Sequence, residues 1–572
     1  MRKFQKSKLI IFILILSVFA ILPFIVGIKE IELTPTLLGF FPSDNGNIID
    51  IILYFKTQFF QITTLFLVLF FIGRAIFMDK PEPIPLFKDK RNKKYMIAGF
   101  TYILFAILSS ILSSNFETAL TGVPNSWESI FVLVSYILIF LLSLNYSYED
   151  NLIDLFIRMI PIVFAIIIIL GFIEFFFKSP LSLLAPPQTE MTSFFGQTSM
   201  TFANPNYASK FLVLFIPIQF YCVKNSVGIK RYINLALLGG MYLLLLFTGS
   251  TAAIYICILT TLIILILFFK QIIRNMKYVL PALGLLIIIS LTITFVADKE
   301  ILSTVLPNNN TSFEATAPFD LKSMSIEANV LTIQGEKHDI NILLENSSLI
   351  FTDENNSKID SLKKGLTYTF PNKNNISVTT HTAKNVFEVD LGFQRPVPFA
   401  IKDNNIYALG PNGTLIKNIN QSSGFGFENM QNFATGRGYI WRKALPLIKE
   451  TIIVGFGADA SVFHIPQNDF TGKLLYQGNA NLILDKPHNM YLQTILNTGL
   501  LSLIALLLIF FFYFKDVIRF SKKTTSLSLL ISIGILGYLL CGIFYDSNIT
   551  VAPLFWALLG MGIATNQKSL NN

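Results

Sequence analysis

Two short motifs hold the residues whose types and spacing suit chemistry. The first is Gly436-Arg437-Gly438-Tyr439-Ile440-Trp441, and the second is Pro487-His488-Asn489-Met490-Tyr491-Leu492-Gln493. An imidazole exchanges protons near neutral pH, so His488 suits a general base. An arginine beside a helix start makes a phosphate corner, because backbone N–H groups and a planar guanidinium fork face one anion. His488 stands where a polar stretch meets a long apolar one, with Arg437 about fifty residues upstream. A base and an anion corner at a membrane surface point to chemistry on a lipid-linked phosphate. The bland readings are an interfacial structural histidine and an arginine that orders a loop or touches a headgroup.

Other side chains are candidates on weaker grounds. Arg442 lies on the helix expected after Gly438. Lys56 and Lys210 fall inside apolar runs near their expected outer ends, where a charge is costly and either snorkels to the interface or serves a site. Asp546 and Glu117 are outer-edge carboxylates that could orient a histidine or bind an acceptor, and ordinary loop solvation is their simpler reading. His338 and His381 lie among charged and hydroxyl residues and read as surface side chains, while His464 sits in an irregular loop. Cys222, Cys257 and Cys541 fall in or beside apolar runs and read as small buried side chains rather than disulfide or metal partners.

These residues must be positioned by a membrane protein. Of the 572 residues, 53% are hydrophobic and 55 are phenylalanine, and the mean hydropathy is +0.59. Runs of about 18 or more apolar residues read as membrane spans. About twelve are expected, near 9–28, 57–77, 97–113, 128–146, 158–177, 206–223, 233–249, 251–269, 278–296, 489–514, 527–545 and 550–566. The N-terminal run resembles a signal peptide, but it lacks a small-residue cleavage site and contains Pro23, so it reads as a retained first span. The net charge of +9 does not point to nucleic acid. Its basic residues cluster in short loops, such as Lys80 to Lys94 and Lys515 to Lys523, that fall on one side when the spans are counted in order. That side is expected to be cytoplasmic, with both termini inside a multi-pass cell membrane protein.

The expected fold class is therefore mainly α, a GT-C-like polytopic bundle with an extracellular β-rich insert between spans 9 and 10. Residues 1–296 hold spans 1–9, and 300–416 form the β-rich domain. Residues 417–488 hold a linker and an amphipathic helix with the arginine motif, and 489–572 hold spans 10–12. Short strands are expected at 326–333, 366–370, 376–380 and 386–391, and Asn412-Gly413 marks a hairpin. A helix from Tyr439 to Val454 is expected to bend at Pro446. There is no P-loop, no Gly-x-Gly-x-x-Gly after a strand, no His-Glu-x-x-His and no Gly-x-Ser-x-Gly elbow. ATP-driven transport is thus disfavoured, no cofactor is expected, and no metal ligand set is identified.

In the order and spacing of its motifs the chain resembles the O-antigen ligase and polymerase superfamily of bacterial membrane glycosyltransferases. The likeness rests on Gly436-Arg437 with Trp441, on His488-Asn489 with Tyr491-Leu492-Gln493, on Gly455-Phe456-Gly457 between them, on Asn204-Pro205-Asn206 and on Gly499-Leu500. It implies transfer of a glycan from undecaprenyl diphosphate to the hydroxyl of a lipid or cell-wall glycan acceptor at the outer membrane face. It further implies that Arg437 holds the diphosphate, that His488 is base or diphosphate contact, and that Asn489, Trp441, Asn206 and Arg442 support the substrate. A polymerase of the same fold is the alternative, and a lipid-linked glycan transporter, which would need ionisable residues deep in several spans, is a more distant one. One departure stands out. Many relatives carry an arginine at the outer turn where this chain reads Thr248-Gly249-Ser250-Thr251-Ala252, so Thr251 replaces it. The resemblance then leaves two alternatives: Lys56, Lys210 or Arg442 supplies that charge, or the site is weaker.

Overall fold

A computed structural model describes residues 2–77, 85–177, 179–183, 197–274, 276, 319–345, 348–370, 376–381, 385–419, 422–519 and 524–571. Among them, seven helices are long and apolar enough to cross a membrane: Leu53–Arg74, Lys90–Ile111, Asp150–Phe176, Pro205–Asn225, Ile229–Phe247, Thr251–Arg274 and Leu500–Arg519. Three apolar helices are shorter, Leu9–Phe24, Ile130–Tyr146 and Ser526–Cys541. In hydrocarbon a helix satisfies every backbone polar group within its own segment, and so the leucine-, isoleucine- and phenylalanine-rich runs take this form. The run expected at 278–296 lies outside the described residues, as do Lys80, Lys277, Lys522 and Lys523.

The helices form one bundle. Ile130–Tyr146 packs on the C-terminal helix Ala552–Asn571, Ser526–Cys541 on Pro205–Asn225, and Leu500–Arg519 on Lys93–Ile111. The first two of these helices are almost wholly buried, whereas Leu65, Ile169 and Ile266 project from the outside of the bundle. Cys222, Cys257 and Cys541 are buried and free. The span expected at 489–514 is divided. Met490–Thr498 is a separate short helix, and Leu500–Arg519 begins after a break at Gly499. Gly499 has φ +91, and a Cβ there would lie 2.7 Å from the Ile453 carbonyl oxygen, so the break needs glycine.

The polar region holds two antiparallel sheets. Strands β3 (Leu321–Glu327), β4 (Val330–Gly335), β5 (Asp339–Glu345) and β6 (Ser348–Thr352) form a meander, and a hairpin of β1 (Lys29–Glu32) and β2 (Asn47–Asp50) precedes them in the chain. The seven strands β7 (Leu362–Lys364), β8 (Thr367–Thr369), β9 (Ser377–His381), β10 (Val386–Asp390), β11 (Val397–Lys402), β12 (Asn405–Leu409) and β13 (Leu415–Ile416) form a second meander. The strand expected at 326–333 is two strands, because Ala328 and Asn329, with φ 45 and 65, make a tight turn between Glu327 and Val330. The two sheets share one core, in which Ile333, Ile342, Val378 and Phe399 meet Phe470 and Leu474 from the later segment.

The β12–β13 turn docks on the loop between the first two apolar helices. Asn412 Nδ2 donates to the Leu38 and Phe41 carbonyls at 2.7 Å each, and its Oδ1 accepts from Ser43 N at 2.9 Å. The helix expected to run from Tyr439 to Val454 ends instead at Ala444, where Phe433–Ala444 gives way to a 3-10 segment over Leu445–Glu450. Leu445 keeps right-handed helical angles, but Pro446 has no N–H to continue the i→i−4 ladder, so the chain tightens there and the α-helix ends rather than bends.

Close helix approach at a glycine gives the first test. A Cβ on Gly534 would lie 2.2 Å from the Leu214 carbonyl oxygen, whereas one on Gly73 meets nothing within 4 Å. Gly534→Ala should cost about 1–3 kcal/mol and lower the detergent melting temperature, and Gly73→Ala should leave it unchanged.

Candidate functional site

The second motif is built around a helix start. Asn489 caps Met490–Thr498, its Oδ1 accepting from Tyr491 N and Leu492 N at 2.9 Å. This fixes the chain direction just after His488, whose φ is 50, an uncommon value for a side-chain-bearing residue. The loop before it is pinned by the first motif, because Trp441 Nε1 donates to the Pro487 carbonyl at 2.8 Å. Gly455-Phe456-Gly457 closes the other end of the short helix, with Phe456 N and Gly457 N donating to the Leu496 and Asn497 carbonyls at 2.8 and 3.0 Å. A Cβ on Gly455 would lie 2.3 Å from the Asn497 carbonyl carbon.

His488 Nδ1 lies 2.7 Å from Asp546 Oδ2. Asp546 is 1% exposed and the imidazole 39% exposed. An ionised carboxylate only accepts, so in neutral His488 the proton sits on Nδ1 and Nε2 carries the free lone pair. Burial alone would raise the pKa of Asp546, but the His488 imidazole, the buried Lys486 and Lys210 outweigh it and hold the carboxyl below its usual range. The sign follows directly: the pair's stabilisation is complete above the ordinary carboxylate pKa and is lost only as pH falls through the depressed one. Ser547, the next residue, donates to Glu128 Oε1 at 2.7 Å, and Gln493 bridges Glu128 Oε2 and Ser547 N at 2.9 and 2.7 Å. Asp459 in turn holds the segment carrying Glu128, accepting from Ser126 Oγ and Glu128 N at 2.8 Å.

Arg437 lines a neighbouring cavity of about 470 Å³ with Asn206, Thr248 to Ala252, Tyr255, Phe433, Phe544 and Tyr545. Its guanidinium stands 5.4 Å from the centre of the Tyr545 ring. Burial lowers the pKa of Arg437, and Tyr545 and Asp546 oppose that shift. Nη1 donates to the Ala434 carbonyl at 2.8 Å and to Thr435 Oγ1 at 2.9 Å, while Nε is buried with no partner among the described residues. The opposite wall is ordered too. Tyr545 OH is 2.5 Å from Ser250 Oγ, which donates to Asn206 Oδ1 at 2.9 Å. Two long helices, Pro205–Asn225 and Thr251–Arg274, begin at this cavity. Asn206 N donates to Asn204 Oδ1 at 2.8 Å and Ala253 N to Tyr545 OH at 3.3 Å, so these starts favour an anion through the helix dipole rather than through free N–H groups. Tyr255, also in the lining, is 63% exposed on the apolar outside of the bundle. The cavity thus joins an anion-favouring floor to a lipid-facing wall.

Residues 405–507 match the family model for O-antigen ligase. That match supports membership in the O-antigen ligase family. No curated protein matches the chain. The O-antigen ligase match contains both motifs from Gly436 to Gln493, and Asn204 to Asn206 lies outside it. It begins at residue 405, within the region read from the sequence as an insert, and so includes β12 and β13.

The structure brings together Arg437, Asn206, Trp441, His488 and Asn489, and it places the other candidate cations outside the Arg437 cavity. Lys56 is fully buried and donates to the Leu22 and Pro23 carbonyls at 2.8 and 2.7 Å. Lys210 is buried beneath the Asp546 loop, with Nζ 3.1 Å from the Asp546 carbonyl and 4.0 Å from the centre of the Tyr538 ring. Neither lysine snorkels, because backbone carbonyls solvate each ammonium internally. Arg442 faces Glu428 at 3.4 Å. None of these three lines the cavity, so Arg437 is its cation among the described residues, and helix starts stand where Thr251 replaces the arginine. Glu117 is exposed, as its simpler reading held, whereas Asp546 is not a solvated loop residue. Glu128, Tyr545 and Lys486 were missed. The one available signal was Tyr545-Asp546-Ser547-Asn548, a short polar gap between two apolar runs.

Trp441→Phe retains an aromatic ring beside Phe427 and Phe544 but removes the donor to Pro487. Loss of one such bond, about 1 kcal/mol, should lower glycan transfer by several-fold through misplacement of His488 while membrane accumulation stays normal. An in vitro transfer assay beside an immunoblot checks it.

Proposed function

We propose that the protein transfers a glycan from undecaprenyl diphosphate to an acceptor hydroxyl at the outer face of the cell membrane, in the manner of an O-antigen ligase. The observation that carries this reading is the His488–Asp546 pair, 2.7 Å apart, on the loop whose preceding residue, Tyr545, faces Arg437 in the adjoining cavity. The acceptor oxygen attacks the anomeric carbon, and the bond from that carbon to the phosphate oxygen breaks. The electron pair leaves with the lipid diphosphate. His488 Nε2 takes the hydroxyl proton, a role that typically contributes about 10²–10⁴ in rate. Asp546 keeps the imidazole in the tautomer that can do so and stabilises the imidazolium that forms. Arg437 and the two helix starts meet the charge that develops on the leaving diphosphate, without a metal ion. The exposed face at Tyr255 admits the polyprenyl chain from the bilayer.

The His488→Ala and Arg437→Ala variants should abolish transfer while the protein still accumulates in the membrane, and Asp546→Asn should lose about 10²-fold or more. The readout is surface polysaccharide in cells lacking the protein, rescued by each variant. Full-length chains left on the lipid carrier in the deletion strain mark a ligase, and single repeat units there mark a polymerase. Normal polysaccharide with His488→Ala would overturn the assignment.

In this reading both termini are cytoplasmic and the β-sheets lie outside. Glu354 is exposed in the turn after β6, and the native cysteines are buried. A Glu354→Cys variant should therefore react with a membrane-impermeant maleimide in intact cells, and the parent protein should not. Labelling only after lysis would reverse the topology.

A further inference from the structure

A second cavity, of about 650 Å³, lies where the loop between the first two apolar helices, the β12–β13 turn and the segment from Phe463 to Ile483 meet. Its volume falls within the roughly 300–1,000 Å³ typical of small-molecule sites. The Asn412 clamp described above holds two of its walls together. Phe40 and Phe463 meet edge to face, with ring centres 5.0 Å apart, and give it an apolar side. Among the described residues, no aspartate or glutamate lines it. Three lining residues carry buried polar atoms without a partner among the described residues: His464 Nε2, Asn481 Oδ1 and Ser422 Oγ.

The cavity also holds a charge with no ion-pair partner among the described residues. Lys473 is 2% exposed and lines the cavity, and its ammonium stands over the Phe470 ring at 5.0 Å. The nearest carboxylate, Asp469, is taken: it is 2.6 Å from Lys443 Nζ and accepts from Gly472 N at 2.8 Å. Burial lowers the Lys473 pKa to about 8, with Asp469 opposing the shift. An unpaired buried ammonium is unfavourable, and an entering anion would offset that cost.

We propose that this cavity is a binding subsite for a sugar residue bearing an anionic group, with that group seated on Lys473 and the ring against Phe40 and Phe463. The unpartnered nitrogen and oxygens of His464, Asn481 and Ser422 suit its hydroxyls. The glycan character of the ligand rests on the transfer reading above. The link to the Arg437 cavity is one helix. Lys473 and Gln477 both lie on Phe470–Gln477, about 6 Å apart along its axis, and Gln477 Nε2 donates to the Gly436 carbonyl at 2.8 Å, next to Arg437. A saccharide leaving the diphosphate site along this helix reaches Lys473.

The test is calorimetric titration of the detergent-solubilised full chain with trigalacturonate, glucose 1-phosphate and maltotriose. At least one anionic probe should bind about ten-fold or more tighter than maltotriose, as one charge-assisted contact predicts, and its identity tells carboxylate from phosphate. Lys473→Met should remove that preference. Asn481→Asp, which places a carboxylate in the cavity, should weaken the anionic probe and spare maltotriose, so the proposal stays testable if the lysine variant does not fold. Equal affinity for neutral and anionic probes overturns the role of Lys473, and absence of binding by all three overturns the subsite. The same titration on His488→Ala should give unchanged affinities, which separates this proposal from the transfer chemistry.

Discussion

A buried carboxylate is expensive unless hydrogen bonds and positive charge surround it, and meeting that requirement at Asp546 organises one end of the bundle. The His488 imidazole pairs with its side chain, and the buried Lys210 ammonium bonds its backbone carbonyl. The residues on either side extend the arrangement. Tyr545 reaches Ser250 and stands against Arg437, and Ser547 reaches Glu128 and Gln493. Helices far apart in the chain therefore meet at one short loop. Displacing that loop would expose several half-satisfied buried groups at once, which gives the site its rigidity.

In the proposed reaction, anion recognition in the adjoining cavity combines two physical sources. Arg437 supplies one fixed charge, and the starts of Pro205–Asn225 and Thr251–Arg274 supply partial positive charge through their helix dipoles, since Asn206 N and Ala253 N already donate to Asn204 Oδ1 and Tyr545 OH. This accounts for a cavity suited to phosphate although Thr251 stands at the turn where many members of the superfamily carry arginine. The lysines that composition alone offered as replacements are committed elsewhere. Lys56 and Lys210 each solvate their charge on backbone carbonyls inside the bundle, the internal counterpart of snorkelling.

The two β-sheets are joined to the membrane part by more than their chain connections. Their common core takes in Phe470 and Leu474, and these belong to the same helix that touches Gly436 through Gln477. Asn412 locks the far end of the second sheet to the loop between the first two apolar helices. The sheets are thus packed into the surroundings of the Arg437 motif.

Much of the molecule was legible in its sequence. Long apolar runs dictate membrane-competent helices because no other single segment satisfies its backbone in lipid. The alternating strands and the Asn412-Gly413 turn were readable for similar local reasons, as were the two motifs that carry Arg437 and His488. Errors arose where local signals compete. The Ala328-Asn329 turn lacks the glycine that usually announces a hairpin, Gly499 breaks a helix inside an apolar run, and Pro446 ends a helix rather than bending it. The sequence by itself thus determined the kinds of element and singled out the two motifs that carry Arg437 and His488, whereas Asp546 read as a solvated loop residue. Tertiary structure alone decided which of them meet. His488 and Asp546 are 58 positions apart, and Gln493 and Glu128 are 365 apart. Contacts across such separations depend on how the helices pack, and helix periodicity records only which face of each helix is apolar, not which polar end it will share.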